Sequence, residues 1–375
     1  MEFFIKFHLN KFFIYFIICS ITDIGRYCIR IYFSPKIFNN FITKLFLMFL
    51  GETLSGIIYL YQKKTILKHR KKIHSYLNYN PKIDPDYNKY FIHKYIFFCA
   101  FLDFISSFDI SKYFPYSISK LSMAFDYLDK ISLCLFLPLN EIFTLNIETY
   151  SHHYIGLLLM LISLLYLIAV ESIKNIKSNL SFSVLFCFIV SLESQYILSM
   201  IYSIEKKLFY EYFENIFHLC CFEGIYGNII LVLYVVFIYR DYSSLFDNLN
   251  KETNIFILIL FCILYCILTC IYNIYIYKIT YEGRPSFNIV GDIFYVFLLN
   301  ILNLIFEKEV FDFHFVISNI FSLLGGFIFT EFMTLNFWNL DEFTKNKIME
   351  RSQNDISMVT LDNINSEEIP NIIII

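Results

Sequence analysis

Charge is what this chain has least of. Asp, Glu, Lys and Arg make up 17% of its 375 residues, against about 25% in a soluble domain. The net charge is −3, which argues against nucleic acid as a partner. Glycine is scarce at 10 residues, and no Gly-rich run forms a phosphate loop. There is no Ser-His-Asp order, and no polar domain carries paired catalytic carboxylates, so an enzyme is not expected. Ten cysteines are present without paired metal-ligand spacing. Most lie in apolar runs, where a thiol behaves as a small hydrophobe. Cys262, Cys266 and Cys270 form an i, i+4, i+8 stripe that reads as helix packing. Neither a cofactor nor a metal site is expected. "SHHYIG" offers His152 and His153 near Glu148, but adjacent histidines point to different sides of a helix.

What fills the chain instead is apolar. Hydrophobic residues make up 57% and aromatics 20%, and mean hydropathy is +0.57. Such an excess cannot be hidden in one core, so the class is an all-α polytopic membrane protein with the lipid bilayer as its partner. A spanning helix needs about 20 mostly apolar residues. Ten such runs are readable, at about 10–32, 41–61, 92–112, 118–140, 154–171, 182–203, 217–239, 254–276, 287–306 and 314–335. The first and fourth are the most polar, with Asp23, Arg26 and Arg30 in one and Asp126, Asp129 and Lys130 in the other. The N-terminal run lacks a small-x-small cleavage site and reads as a helix rather than a signal peptide.

Lysine and arginine in short loops set orientation. "KKTILKHRKK" (63–72) holds six of them and places the basic loop at 62–91 in the cytosol. With ten spans, both termini follow it there. The stretch 337–375 is polar and reads as a disordered cytosolic tail. Trp338, the only tryptophan, sits where an interfacial anchor is expected. Asn179 opens a weak glycosylation sequon in a lumenal loop. The connector "ESIKNIKSNLS" divides the spans into 1–171 and 172–336, five each. An odd number per half reverses the second half, giving two inverted five-helix repeats.

"ESQYILSMIYSIEKKLFYEYFENIFHLCCFEGIYGNII" carries a Gln, then an acidic-Lys end ten residues on, then E-G-x-x-G at the opening of the next span. These are Gln195, Glu205 with Lys206 and Lys207, and Glu223, Gly224 and Gly227. "LFLMFLGETLSG" places Met48, Phe49, Gly51 and Glu52; "FCAFLDFISS" places Asp103; "SHHYIG" places Gly156. "NIVGDIFYVF…LLGGFIFTEF" places Asp292, Phe311 and Gly325. In this order the motifs resemble the drug/metabolite transporter superfamily, nearest the branch of solute carrier family 35, subfamily F, typified by member 6. There are departures. "YLDKI" (127–131) stands where the family has Gln-Met-Leu-Arg-Gly, and Asn288 and Tyr295 stand at two family Arg positions.

The resemblance implies a secondary transporter of a small polar solute, with protons as a candidate coupling ion and a homodimer as a candidate assembly. It also implies an endomembrane location, vacuolar or lysosome-like. The implied pathway residues are Asp103, Lys130, Asp292, Glu52 and Gln195. A charge at mid-membrane costs roughly 2.5–3.5 kcal/mol on insertion scales, so Glu52, Asp103, Lys130, Glu193 and Asp292 should face the bundle interior. There they either make structural ion pairs, Lys130 with Asp103 or Asp126, or line a polar cavity between the halves. Glu223 reads as an acid in the first turn of its helix, facing the positive dipole end. Gly224 and Gly227 read as close-packing positions. Two further functional classes stay open: an intramembrane transferase, for which only His152 and His153 offer themselves, and a transport-inactive scaffold that kept the fold.

Overall fold

The computed structural model describes residues 12–30, 41–73, 85–107, 122–147, 149–176, 181–212, 214–239, 255–306 and 313–333. Asn179, Phe311, Trp338 and the 337–375 tail lie outside them. Among the described residues the secondary structure is helical. The α-helices are α1 (Phe12–Cys28), α2 (Phe41–Thr53), α3 (Ser55–Ile73), α4 (Pro85–Ser106), α5 (Ser122–Leu145), α6 (Ser151–Ile176), α7 (Ser181–Glu211), α8 (Ile216–Tyr234), α9 (Ile255–Glu282), α10 (Asn288–Phe306) and α11 (Phe313–Phe329). Only the turn at Leu54 separates α2 from α3, so the helices form ten rods, one at each expected span.

Five of those rods are long and apolar enough to cross a membrane: Phe41–Lys64, Ser151–Ile173, Ile216–Tyr239, Phe256–Glu282 and Pro285–Leu302. The last helix, Phe313–Phe329, is apolar but shorter. Over their described residues the rods formed by α1, α4, α5 and α7 are not among these five. The spanning rods keep large apolar side chains on their outer faces, including Leu260, Ile263 and Ile267 on α9 and Val232, Leu233 and Val236 on the α8 rod. Water does not tolerate patches of this size on a monomer, whereas hydrocarbon does.

Local chemistry sets several helix ends and bends. Asn215 caps α8, its side-chain oxygen accepting the amides of Phe217 (2.9 Å) and His218 (3.3 Å). Pro138 sits inside α5, where a helix loses one backbone bond. The α8 rod ends in a π turn at Val235–Tyr239.

Packing follows small residues. A Cβ on Gly156 would lie 2.7 Å from the Gly325 carbonyl, and one on Gly325 2.6 Å from the Gly156 carbonyl. This mutual approach seats α6 on α11, the most extensive helix pair in the molecule. Other extensive pairs are α5 with α7, α2 with α8, α1 with α9 and with α10, α4 with α7 and with α8, and α9 with α2. One apolar core runs through most rods, with Ile96, Leu128, Leu137, Met160, Leu219 and Ile289 at its centre. A smaller one joins Leu45, Phe49, Ala100, Phe104 and Leu231 on α2, α4 and α8. The cysteine stripe packs as expected. Cys266 and Cys270 are buried free thiols, and Cys266 Sγ lies 3.4 Å from the Leu47 carbonyl of α2.

Candidate functional site

Among the described residues, buried and half-buried ionisable side chains gather in three places, and α9 passes two of them. The first lies between α1, α5 and α10. Lys130 Nζ is 2.6 Å from Asp292 Oδ1 and 3.7 Å from Asp23 Oδ2. Asp23 in turn holds Arg26 at 2.5 Å. The Arg26 guanidinium stacks on Tyr272 of α9 at 3.8 Å, and Lys130 lies 5.2 Å from the Tyr295 ring centroid. Two cations and two carboxylates balance here, as burial requires. Beside them is a cavity of about 10 Å³ lined by Cys19, Ser20, Asp23, Tyr272, Asn288 and Asp292 among others, room for about one water. Asn288 and Tyr295 both border it.

The second group lies between α2, α4, α7, α8 and α9 and is acidic. Glu52 is buried on α2, and its Oε1 accepts from Asn273 Nδ2 of α9 at 2.8 Å. One turn further along α9 the Tyr277 hydroxyl donates to Glu223 Oε2 of α8. Glu205 of α7 is buried and also faces Tyr277. Asp103 of α4 is half-buried, within electrostatic reach of Glu52, Glu205 and Glu223. One oxygen on each of Glu52, Glu205 and Glu223 is buried with no hydrogen-bond partner.

Four expectations need correction. Asp103 does not join Lys130 and Asp292; it faces the acidic group, and the lysine's partners are Asp292 and Asp23. Glu193 is exposed rather than turned inward. Glu223 is not in the first turn of its helix. Asn215 already caps α8 two turns upstream, which frees Glu223 to sit in the interior. Finally, His152 and His153 do converge. The Tyr150 amide donates to His153 Nδ1 at 3.0 Å, folding that ring back over the helix start as a capping side chain does. The two rings then lie 4.0 Å apart.

Both histidines are buried, and Glu331 beyond α11 sits 3.3 Å from His152 Nε2 and 3.7 Å from His153 Nε2. Their ligand atoms fall within 4.8 Å of one another, close enough for an ion. The amide bond to His153 Nδ1 leaves the proton of the neutral ring on Nε2, facing Glu331. His152 Nδ1, His152 Nε2 and His153 Nε2 are nevertheless buried with no hydrogen-bond partner. Glu331 adopts a left-handed backbone, φ 60°.

The glycines behave as expected. A Cβ on Gly224 would meet Phe49 O at 2.5 Å and Glu52 Cβ at 2.7 Å, and one on Gly227 the Phe49 ring at 2.3 Å. Gln195 is half-buried on α7. Sequence reasoning missed Asp23, Arg26, Asn273 and Tyr277 as site residues and used Glu205 only as a motif position. Asn273 and Tyr277 did carry a signal: a polar pair at i, i+4 in an otherwise oily helix.

No protein-family model matches the chain, and no curated protein matches it. What fold and composition establish is a helical protein with several helices able to span a membrane.

Proposed function

We propose that this chain is a secondary transporter of a small polar solute, working by alternating access between halves 1–171 and 172–336. One observation carries the reading. Number the rods one to ten and exchange each with the rod five places away. The extensive helix pairs then map onto one another. Rod one on rod eight becomes rod six on rod three, and four on six becomes nine on one. Two on eight becomes seven on three, four on five becomes nine on ten, and two on seven, five on ten and four on nine map onto themselves. This is the pairing expected of two five-helix repeats related by a two-fold axis. The exchange also relates the rod carrying Glu52 to the rod carrying Glu223, and the rod of Lys130 to the rod of Asp292. On this reading the Lys130–Asp292 pair joins the two halves, and inverted repeats hold their substrate where the halves meet.

A transport-inactive scaffold is the second reading, favoured by the 2.6 Å Lys130–Asp292 pair and the water-sized cavity beside it. Under the transport reading those features describe one closed state, in which the pair opens to admit solute. Purified protein in liposomes should take up at least one solute from a panel of nucleotide sugars, nucleotides, amino acids and peptides, and Asp292→Asn should abolish that uptake at normal expression. No uptake across the panel by well-folded protein supports the scaffold.

A further inference from the structure

Among the described residues, the acidic group brings four carboxyl side chains within electrostatic reach of one another. Glu205 and Glu223 are 2% and 5% exposed. Glu205 Oε2 and Glu223 Oε1 are both buried without a hydrogen-bond partner, and so is Glu52 Oε2. The groups facing them from the packed helices are Glu52 on α2, Cys99 and Asp103 on α4, Tyr202 on α7, Cys220 on α8, and Asn273 and Tyr277 on α9. None of these is a cation. Lys206, next to Glu205, donates to the carbonyls of Thr280, Tyr281 and Gly283 at 3.0, 3.0 and 2.7 Å. Arg26, whose charge reaches Glu52, is held by Asp23 at 2.5 Å. Ionised carboxylates in such a place are far costlier than carboxyls that carry a proton.

We propose that Glu205, Glu223 and Tyr277 form a proton-binding site inside the helix bundle, with one exchangeable proton shared between the two carboxyls through the Tyr277 hydroxyl. Tyr277 has a single O–H. It donates to Glu223 Oε2 and so has no proton left for Glu205, whose buried Oε2 has no hydrogen-bond partner; a proton on Glu205 is the carboxyl's own. Transfer is a balanced relay. Tyr277 passes its proton to the Glu223 carboxylate and takes the Glu205 proton in its place. Glu205 ends as carboxylate, Glu223 as carboxyl, and the phenol is unchanged. The relay runs from α7 to α8, two rods of the second half, across α9. A proton suits the site better than a metal ion. Among the described residues, the only set of His, Cys, Asp or Glu ligand atoms close enough to share an ion is the His152, His153, Glu331 trio.

Proton binding here stands apart from the transport reading; only coupling of that proton to a solute rests on it. The test uses the purified full-length wild-type chain in detergent. A hydrophobic carbodiimide reacts with protonated carboxyls in apolar surroundings, and mass spectrometry locates the adduct. Label is expected on Glu205 or Glu223 at neutral pH, falling about tenfold per pH unit above the midpoint of the site. Sodium, potassium and calcium chloride should leave it unchanged. Tyr277→Phe should still be labelled, but on one glutamate rather than shared between both. Folded protein with no label on either glutamate would overturn the proposal. So would label displaced by a cation, which would mark an ion site instead. Solute uptake in liposomes under an imposed pH gradient is the separate arm. Labelled protein that moves no solute retains the proton site and removes the transport reading.

Discussion

Single residues decide how closely these helices meet. Gly227 admits the Phe49 ring to a place where a Cβ would stand 2.3 Å from it. Gly227→Leu should destabilise the fold by about 1–3 kcal/mol, the usual cost of overpacking a filled core. Thermal unfolding in detergent checks this, with Ile225→Leu on the exposed face of the same helix as the silent control. Lys130 behaves differently, because its loss leaves the buried Asp292 carboxylate without its nearest cation. Lys130→Met should cost about 3–5 kcal/mol, as unpairing a buried ion pair does. Adding Asp292→Asn should recover most of that loss in the same measurement. A double variant no more stable than the single would mean that Lys130 is not the structural partner of Asp292.

Elements show where residue patterns were readable and where they were not. The rods lie where apolar runs of about 20 residues predicted them, since hydropathy records what lipid and core both require. Glycine spacing in "FEGIYG" announced close packing, but nothing in the sequence announced the approach of Gly156 to Gly325. Partners were not legible. Which acid meets Lys130 depends on how α1 and α10 rotate against α5, and no local pattern encodes that rotation. The role of Glu223 was misread because Asn215 lies outside the apolar run, where the helix begins. Asn215→Ala should therefore weaken α8 by about 0.5–2 kcal/mol, seen as faster amide hydrogen exchange at Phe217 and His218. The tightest helix pair invites a stronger test. Gly156→Leu would push its side chain into the backbone of α11, where Gly325 O lies 2.7 Å and Phe329 N 2.9 Å from a Cβ. Loss of folded yield is expected, larger than for Leu158→Ala on the exposed face of α6.

At the scale of the whole molecule, the extensive helix pairs exchange among themselves when rods five places apart are swapped, and two of the ionisable groups among the described residues flank α9. The basic segment at 63–72 predicts the N-terminus and the 337–375 tail on its own side of the membrane. Protease protection of tags at the two ends checks this; ends on opposite faces would remove the ten-span count and the inverted repeats with it. Alternating access makes a sharper demand, because one interior position must meet each side of the membrane in turn. Cys19 offers a native reporter, buried beside Ser20, Asp23 and Asp292 at the edge of the cavity. With the other nine cysteines replaced, a membrane-impermeant thiol reagent is applied to one face of sealed vesicles and then, in a separate sample, to the other. The transport proposal predicts that Cys19 is labelled from both faces. Labelling from one face alone, or from neither in folded protein, would contradict it.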